Sequence, residues 1–396
     1  MSTITPIGDA AGVAALAERA RSAGRMALDF EFLWERTYAP LPCLAQVNID
    51  GEIALVDPLA GAPLEPIADL VSDPQVTVVM HAPSADLTLL ALACTVSPRA
   101  LVDVQTVAGF VGLGAGQGLA ALLERVLRVS LDKGERYTDW SRRPLSAGQS
   151  DYAAADVAHL LQLADELSGR VEGLGRAAWV AEEHERRFGA HAQFITPPDE
   201  AWRKVKGQGK LNPTQRAVLA AVAAWREREA RRLDRPTAWL LPDRTLIELA
   251  RRQPTTRRAL QSERGMPERL GGQEADALLQ AIATAQKGEP IHLPAGAPPE
   301  LQQRADAIAP LASALLAARA EAADIAPTLV ATRDEISRYL IATMRETPDG
   351  LLLASGWRHE IAGAALGDLV HGRLAVAAQP RRPYLIEISR DATAPG

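Results

Sequence analysis

The sequence predicts an α/β domain with a mixed sheet flanked by helices, followed by two all-α helical bundles. Strand-like runs at residues 44–49 and 53–56 are joined by Asp50-Gly51, a turn typical of an antiparallel hairpin. From residue 64 onward, helix-like and strand-like segments alternate, which predicts parallel strands joined by crossover helices. Beyond residue 205 the pattern is mostly helical.

The remaining elements of the first domain follow from periodicity and from turn residues. We expect further strands at residues 26–32, 76–80 and 100–102. We expect helices at residues 64–71, 119–127 and 150–163, and one that begins at Ser84 as its cap. The glycine-rich run at residues 112–118 lacks a following Gly-Lys-Ser/Thr and a directly preceding strand, so we interpret it as a turn rather than a phosphate loop.

Two changes in composition, at residues 194–198 and 294–299, predict domain boundaries. They divide the chain into domains at residues 1–190, 205–290 and 298–386. In the middle domain, Asn212 is a suitable cap for a helix that begins at Pro213. We expect residues 300–386 to be mostly helical.

The composition is that of a globular protein without a membrane span. The chain has 396 residues, of which 47% are hydrophobic and 23% charged. The apolar run at residues 87–94 is far too short to cross a bilayer, and the N-terminus has neither a basic start nor an apolar core. Cys43 and Cys94 cannot form a disulfide framework. We expect a cytoplasmic monomer that makes no contact with membranes.

The charge distribution favours a polyanionic partner for the middle domain. The net charge of −6 argues against such a partner, but residues 201–290 carry 18 Lys or Arg against 10 Asp or Glu. One interpretation is a set of solvated, charge-laced helices. We favour nucleic-acid binding, because basic side chains concentrated in one domain attract the phosphates of a polyanion.

Four acids and one tyrosine form the strongest candidate site. Asp29 and Glu31 are two apart in a predicted strand, so their side chains leave the same face. Tyr152 and Asp156 are four apart in a predicted helix, so they are stacked one turn apart. Asp86 lies in the first turn of the helix that follows the strand at residues 76–80.

Four converging carboxylates repel one another unless cations compensate them. An all-oxygen set suits magnesium or manganese, and two such ions about 4 Å apart can activate water and stabilise a leaving oxygen when a phosphodiester is cut. Taken alone, each acidic pair would be an ordinary polar surface. We interpret His81 as a core or strand-end histidine in preference to a metal ligand.

These motifs resemble those of the DEDD 3'-5' exonucleases of the tyrosine-containing branch, and within it the ribonuclease D family. Asp29-Phe30-Glu31 matches the first motif, His81 with Asp86 the second, and Tyr152 with Asp156 the third. The segments at residues 103–106 and 131–145 are also similar to that family. The resemblance implies a ribonuclease H-like fold. It also implies that Tyr152 is catalytic and that two Mg or Mn ions bind to the four acids, Asp29, Glu31, Asp86 and Asp156.

The helical region is similar to two HRDC domains in tandem. The first copy has Arg231, Asp234 and Pro236 ahead of a helix at residues 243–250. The second copy is degenerate and depends mainly on Gly356-Trp357-Arg358. Its acidic and apolar character suggests packing or the shaping of a channel rather than tight phosphate binding.

The resemblance implies a 3'-5' exoribonuclease that releases nucleoside 5'-monophosphates from the 3' ends of structured RNA such as precursor tRNA. Candidate RNA contacts are Trp34, Lys133, Arg136 and Trp140, which lie near the catalytic segments; for the two tryptophans a place in the core is the alternative. Other functions that remain open are a DNA 3'-5' exonuclease and a catalytically inactive nucleic-acid-binding protein.

Overall fold

A five-stranded mixed sheet forms the centre of the first domain. The computed structural model describes residues 4–131, 138–189, 194–267, 270–294, 296–380 and 385–389. The strands are β1 (Arg25–Leu33), β2 (Leu41–Ile49), β3 (Glu52–Val56), β4 (Thr77–Met80) and β5 (Leu101–Asp103). Their spatial order is β3-β2-β1-β4-β5. Because β1 is antiparallel to β2 and parallel to β4, the predicted mixed sheet is confirmed.

The β2–β3 hairpin has the predicted tight turn. Asp50 and Gly51 both adopt positive φ angles, 52° and 93°, as a two-residue turn between twisted strands requires. The first strand, β1, is paired to β2 with a register irregularity between Glu31 and Phe32. Bulges of this kind redirect side chains and are frequent next to active sites.

Helices cover both faces of the sheet. They are α1 (Ala10–Ala23), α2 (Glu65–Val71), α3 (Ser84–Ala93), α4 (Val104–Gly109), α5 (Leu119–Leu127), α6 (Ala147–Ala158), α7 (Leu160–Gly173) and α8 (Ala177–Phe188). The first three pack with alternate residues of β1 in one apolar cluster. The opposite face packs against α6 and α7, and it is the face from which Asp29 and Glu31 project.

Two predicted helix boundaries were wrong. Ser84 is the first residue inside α3 rather than its cap, and the cap position is held by Pro83, which makes no side-chain capping bond. The stretch predicted as one helix over residues 150–163 is two helices, because the chain leaves helical geometry at His159.

The second unit, which we call the middle unit (residues 198–287), is helical. A 3₁₀ turn (Pro198–Lys204) packs against the long helix α9. The helices are α9 (Pro213–Leu233), α10 (Thr237–Leu240), α11 (Asp243–Arg252), α12 (Arg257–Gln261) and α13 (Gly272–Lys287). The predicted cap of α9 is confirmed, since Asn212 and Gln215 form a reciprocal capping box.

The third unit, the C-terminal unit (residues 299–389), is mostly helical as predicted but ends in a hairpin. Its helices are α14 (Pro299–Ala322), α15 (Pro327–Val330), α16 (Arg333–Met344), α17 (Gly356–Arg358) and, after one π-helical turn, α18 (Ala364–Val370). The prediction missed two antiparallel strands, β6 (Leu374–Ala378) and β7 (Leu385–Ser389). Across the described ranges, no helix is both long and apolar enough to cross a membrane.

The C-terminal unit is docked on α8 through a buried arginine. Arg358 is 1% exposed, forms ion pairs with Glu182 and Glu183 of α8, and lies over the ring of Trp357. The same tryptophan stacks on Trp179 of α8, with ring centroids 5.3 Å apart. Removing one partner of a buried ion pair is unfavourable, so these pairs hold the C-terminal unit against α8.

A second arginine joins the same two units. Arg176, which precedes α8, donates to the carbonyl of Phe110 at 2.6 Å and to the carbonyls of Ala323 and Asp324 beyond the end of α14. The backbone N–H of Ala326 donates to the carbonyl of Gly109 at 2.8 Å. The packing role suggested for this unit agrees with these contacts.

The middle unit contacts the segment that follows β1. Asp234 accepts hydrogen bonds from the backbone N–H groups of Tyr38 and Ala39, at 3.0 and 3.2 Å. The hydroxyl of Tyr38 donates to Glu227 at 2.6 Å, and Arg231 lies over its ring. The middle unit therefore lies close to the end of the strand that carries Asp29 and Glu31.

Candidate active site

The centre of the site is β1, which supplies two carboxylates from one face. Asp29 and Glu31 alternate with the buried residues Leu28 and Phe30, so the apolar side chains enter the core while both acids face α6. Both acids lie in the second half of β1, beyond its pairing with β4, which ends at Ala27. The strand therefore presents them at the edge of the sheet where parallel strands end.

The loop after β4 brings the third acid to the same edge. Asp86 lies in the first turn of α3 and is 7% exposed. The turn before it contains Ala82, whose φ of 53° is unusual for a residue other than glycine. Its backbone N–H donates to Asp103 at 2.9 Å, and the same buried carboxylate accepts from Thr106 at 2.5 Å. Asp103 thus holds the turn that aims Asp86.

Helix α6 supplies the tyrosine and the fourth acid. Tyr152 and Asp156 are one turn apart on this helix, as predicted. Asn48 of β2 fixes its C-terminal end by donating to the carbonyls of Val157 and Ala158, at 2.9 and 3.1 Å. Ser146 begins the helix with a capping box. The helix is therefore held at both ends over the face that carries the first two acids.

Trp140 supports the tyrosine rather than facing solvent. It is 2% exposed, and its ring lies 6.0 Å from that of Tyr152. Its segment is fixed by Arg143, which donates twice to the buried Asp57, at 2.6 and 2.7 Å, and once to the carbonyl of Cys43. The stacking role considered for Trp140 is disfavoured, because a nucleobase cannot reach a ring in the core.

An open cleft of about 660 Å³ joins these elements. Its lining includes Asp29, Glu31, Tyr152, Asp156 and His81, whereas the buried Asp86 is not one of the residues that line it. The Nε2 atom of His81 lies 2.8 Å from the carbonyl oxygen of Gln117, which agrees with a strand-end histidine held by the backbone. The glycine-rich turn continues into α5 at one side of the cleft.

The carboxylate of Asp29 lies close enough to the other three acids for their charges to affect its pKa. Loss of water contact raises the pKa of Asp29 well above its ordinary value, and the charges of Asp86, Asp156 and Glu31 raise it further. Burial raises the pKa of Asp86 from 3.8 to about 7, against the opposing effect of hydrogen bonds from backbone N–H groups. Carboxylates with raised pKa values in a cleft are typical of functional sites.

The donor set fits hard divalent cations. Every candidate ligand is a carboxylate oxygen, the donor that magnesium and manganese prefer. In the described part of the chain, no three His, Cys, Asp or Glu side chains lie close enough together to hold a metal ion.

Sequence reasoning missed two further residues. Gln46 of β2 is fully buried opposite Asp29 in the strand register. Trp239 of the middle unit is 62% exposed. The strand register identifies Gln46, and its exposure identifies Trp239. Neither residue stands out in the sequence, because a glutamine in a strand and a tryptophan in a helix are both ordinary. Lys133 and Arg136 lie outside the described residues.

The fold and the acidic cleft define a 3'-5' exonuclease joined to helical domains. Residues 4–172 match the family model described as 3'-5' exonuclease, and residues 215–282 match that of the HRDC domain. Exonucleases of this family generally depend on divalent metal ions.

Comparison with individual proteins identifies the family. The chain is 35% identical over 394 residues to ribonuclease D of Zymomonas mobilis subsp. mobilis, covering 97% of this chain and 98% of that protein. It is also 35% identical over 379 residues to ribonuclease D of Acidiphilium cryptum, covering 95% of each. The crystal structure of Escherichia coli RNase D has a TM-score of 0.77 at 31% identity, covering 93% of this chain and 99% of that one. The chain belongs to the ribonuclease D family of 3'-5' exoribonucleases, which confirms the predicted family and fold.

Proposed function

We propose that this protein removes nucleotides one at a time from the 3' ends of structured RNA and releases nucleoside 5'-monophosphates. Two divalent cations, magnesium or manganese, would be held by the three acids that line the cleft, Asp29, Glu31 and Asp156, together with the neighbouring buried Asp86. The observation that carries the proposal is the environment of Asp29, whose pKa is raised first by burial and then by the charges of the other three acids. Separate surfaces could not produce this effect, because it requires the carboxylates to be neighbours.

The chain's own residues would orient the reaction. When bound, the cations would supply the positive charge that stabilises the phosphate and would lower the pKa of the attacking water. Tyr152 lines the cleft one turn before Asp156, so its hydroxyl can hold that water in line with the scissile bond. Trp140 packs against the tyrosine ring and fixes its direction.

The path of the RNA would run from the catalytic cleft towards the middle unit. Trp34 is three residues beyond Glu31 and is 43% exposed. It lines a second cleft, of about 510 Å³, that also contains Lys204 and Thr237 of the middle unit. An exposed ring between the two units is suited to stack on a base of a single-stranded 3' end.

The middle unit also presents a tryptophan beside unpaired arginines. Trp239 lies on α10, and the exposed residues Arg235 and Arg244 flank it in sequence. Neither of these arginines has an acidic partner within ion-pair distance among the described residues. Many other arginines here are neutralised, as Arg257 is by Asp276. We therefore infer that α10, where an exposed aromatic ring lies near unpaired arginines in the sequence, is one site of RNA contact in this unit.

Precursor tRNA is the substrate that we propose. Escherichia coli RNase D is described as an exoribonuclease involved in structured RNA processing. A deep cleft for the 3' end and a separate contact surface for the body suit an RNA that is folded except at its end. We further propose that the catalytic domain spans residues 1–190 and that residues 205–290 and 298–386 form the two HRDC-like domains.

The test uses full-length variants and a 5'-labelled RNA with an unpaired 3' end. With Mg²⁺, the wild-type protein is expected to shorten the RNA in single-nucleotide steps and to be inactive in EDTA. Asp29→Asn and Asp156→Asn should each lower the rate by about 10³-fold or more. Each variant lacks a carboxylate that would hold a cation, so the positive charge of that cation is lost from the site. RNA binding should be largely retained.

Asp151→Asn provides the matched control, since Asp151 is an exposed acid on α6 that does not line the cleft. This variant should keep full activity. Normal activity in both of the other variants would exclude the proposed site. If a DNA strand of the same sequence were shortened as fast as the RNA, the substrate assignment would pass to the DNA exonuclease alternative.

A further inference from the structure

Gln46 is a buried polar residue whose hydrogen bonds are missing. It is 0% exposed in the middle of β2. Among the residues that the structure describes, neither its amide nitrogen nor its amide oxygen has a hydrogen-bond partner. Buried side-chain amides are nearly always paired, because removing them from water without a partner is unfavourable. An unpaired one therefore points to a function.

The strand register places Gln46 next to the first acid. It is directly opposite Asp29 in the antiparallel pairing of β1 and β2. Opposite residues project from the same face of a sheet, with Cβ atoms roughly 4.5–5.5 Å apart. The amide and the carboxylate are thus neighbours on the face that forms the cleft.

Helix α6 covers the same position. Two residues before Gln46, Leu44 shares an apolar cluster with Ala153 of α6. Two residues after it, Asn48 donates to the carbonyl of Val157. Since residues two apart share a face, Gln46 lies under the turn of α6 between these contacts, which is the turn that contains Asp156.

We propose that Gln46 is a positioning residue: once a cation is bound, its amide N–H groups would donate to the carboxylate of Asp29 and hold it in its cation-binding orientation. This inference rests on the proposed function, because the amide orients a metal ligand only if Asp29 binds a cation. A glutamine suits the position since it offers two donors without adding a fifth negative charge. Partners that orient ligating carboxylates in this way commonly contribute 10- to 100-fold to metal affinity.

A purely structural role would look different in this fold. Asn48, on the same face of the same strand, makes two hydrogen bonds that fix α6. Gln46 makes none, so the helix does not depend on it. Loss of the Gln46 amide should therefore weaken cation binding without lowering the stability of the fold.

The test is Gln46→Met in the full-length protein, because methionine keeps the length and flexibility of the side chain and removes its polar atoms. Binding of Mn²⁺ is measured without RNA by electron paramagnetic resonance, and thermal unfolding is measured in EDTA. We expect about tenfold weaker Mn²⁺ binding with an unchanged or higher melting temperature. Val47→Ile is the matched control, since Val47 projects from the opposite face.

Wild-type affinity in a folded Gln46→Met protein would overturn the inference. If that variant fails to fold, Gln46→Asn keeps the amide but withdraws it by one methylene, and it should also bind Mn²⁺ more weakly; wild-type binding in this variant would overturn the inference equally. Asp29→Asn distinguishes failure of the proposed metal site from failure of the role proposed for Gln46. If it binds Mn²⁺ normally, the proposed metal site fails, whereas loss in Asp29→Asn with normal binding in Gln46→Met removes only the role of Gln46.

Discussion

Replacement of Asp86 by asparagine should stabilise the metal-free protein while it damages the metal site. Asp86 is 7% exposed, and burial raises its pKa from 3.8 to about 7. Asparagine has nearly the same shape and can still accept the backbone hydrogen bonds, but it carries no charge. It also removes one of the charges that raise the pKa of Asp29.

The magnitude follows from the pKa of Asp86. One pKa unit corresponds to about 1.4 kcal/mol, so ionising this side chain in the folded protein at pH 8 costs ~4 kcal/mol. At pH 5 the cost is about 2 kcal/mol, since the folded protein still holds the proton. Because the folded-state pKa lies above that of the unfolded chain, the stability is largest below about pH 4 and falls as the pH rises through about 7.

The assay is denaturant unfolding of the wild-type and Asp86→Asn proteins in EDTA at pH 5 and pH 8. The variant should be the more stable at both values, and its advantage should grow by about 2 to 3 kcal/mol at the higher pH. Excess Mg²⁺ should reduce the advantage, because the wild-type protein then gains binding free energy that the variant lacks. Asp151→Asn is the control for removal of one negative charge.

An advantage of equal size at both pH values would refute this reasoning, since only a titrating group makes the difference depend on pH. A variant that is less stable than the wild type in EDTA would show that the Asp86 carboxylate is satisfied without a cation. Either result would show that burial does not raise the pKa of Asp86 in the metal-free protein.

Three further results are expected. Tyr152→Phe should lower kcat by about 10²-fold with RNA affinity unchanged, because only the water-orienting hydroxyl is lost; a change in RNA affinity with normal kcat would contradict this. Trp239→Ala should weaken RNA binding by about 1–3 kcal/mol in a filter-binding titration, whereas truncation of the exposed Leu311 in the C-terminal unit should have no effect. Arg358→Met should destabilise the protein by about 1.5–3 kcal/mol in denaturant unfolding, because the buried Glu183 loses one of its two arginine partners and keeps only the ion pair with Arg186; the exposed Arg373 is the matched control, and similar small effects of both variants would refute the role of the buried pair.

Local patterns were sufficient for the catalytic segments. The alternation around Asp29 and the helical spacing of Tyr152 and Asp156 depend only on residues a few positions apart, so they could be predicted without tertiary information. The Asp50-Gly51 turn could be predicted for the same reason. Helix α1 shows the limit of such patterns, since its alanine-rich sequence has little periodicity and only Asp9 and Gly24 mark its ends.

Features that depend on long-range contacts could not be predicted. The pairing of Gln46 with Asp29 follows from the register of β1 and β2, which includes an irregularity at Glu31 that no turn residue signals. The break at His159 occurs where Asn48, more than 100 residues away, takes the last carbonyls of α6. Trp140 looked like a stacking platform because its basic neighbours are visible in sequence, whereas its burial against Tyr152 is not.

Translation delivers the catalytic residues long before the chain is finished. Trp357 and Arg358 follow Asp156 by a long stretch of chain, yet the surfaces that they cover, around Trp179 and Glu183, belong to the first domain. Until that segment leaves the ribosome, the nascent protein carries an uncovered Trp179 ring, and Glu183 has Arg186 but not Arg358 as an ion-pair partner. A prematurely terminated polypeptide would contain all five site residues but an incomplete fold, so it would be a target for proteases rather than an unrestrained ribonuclease.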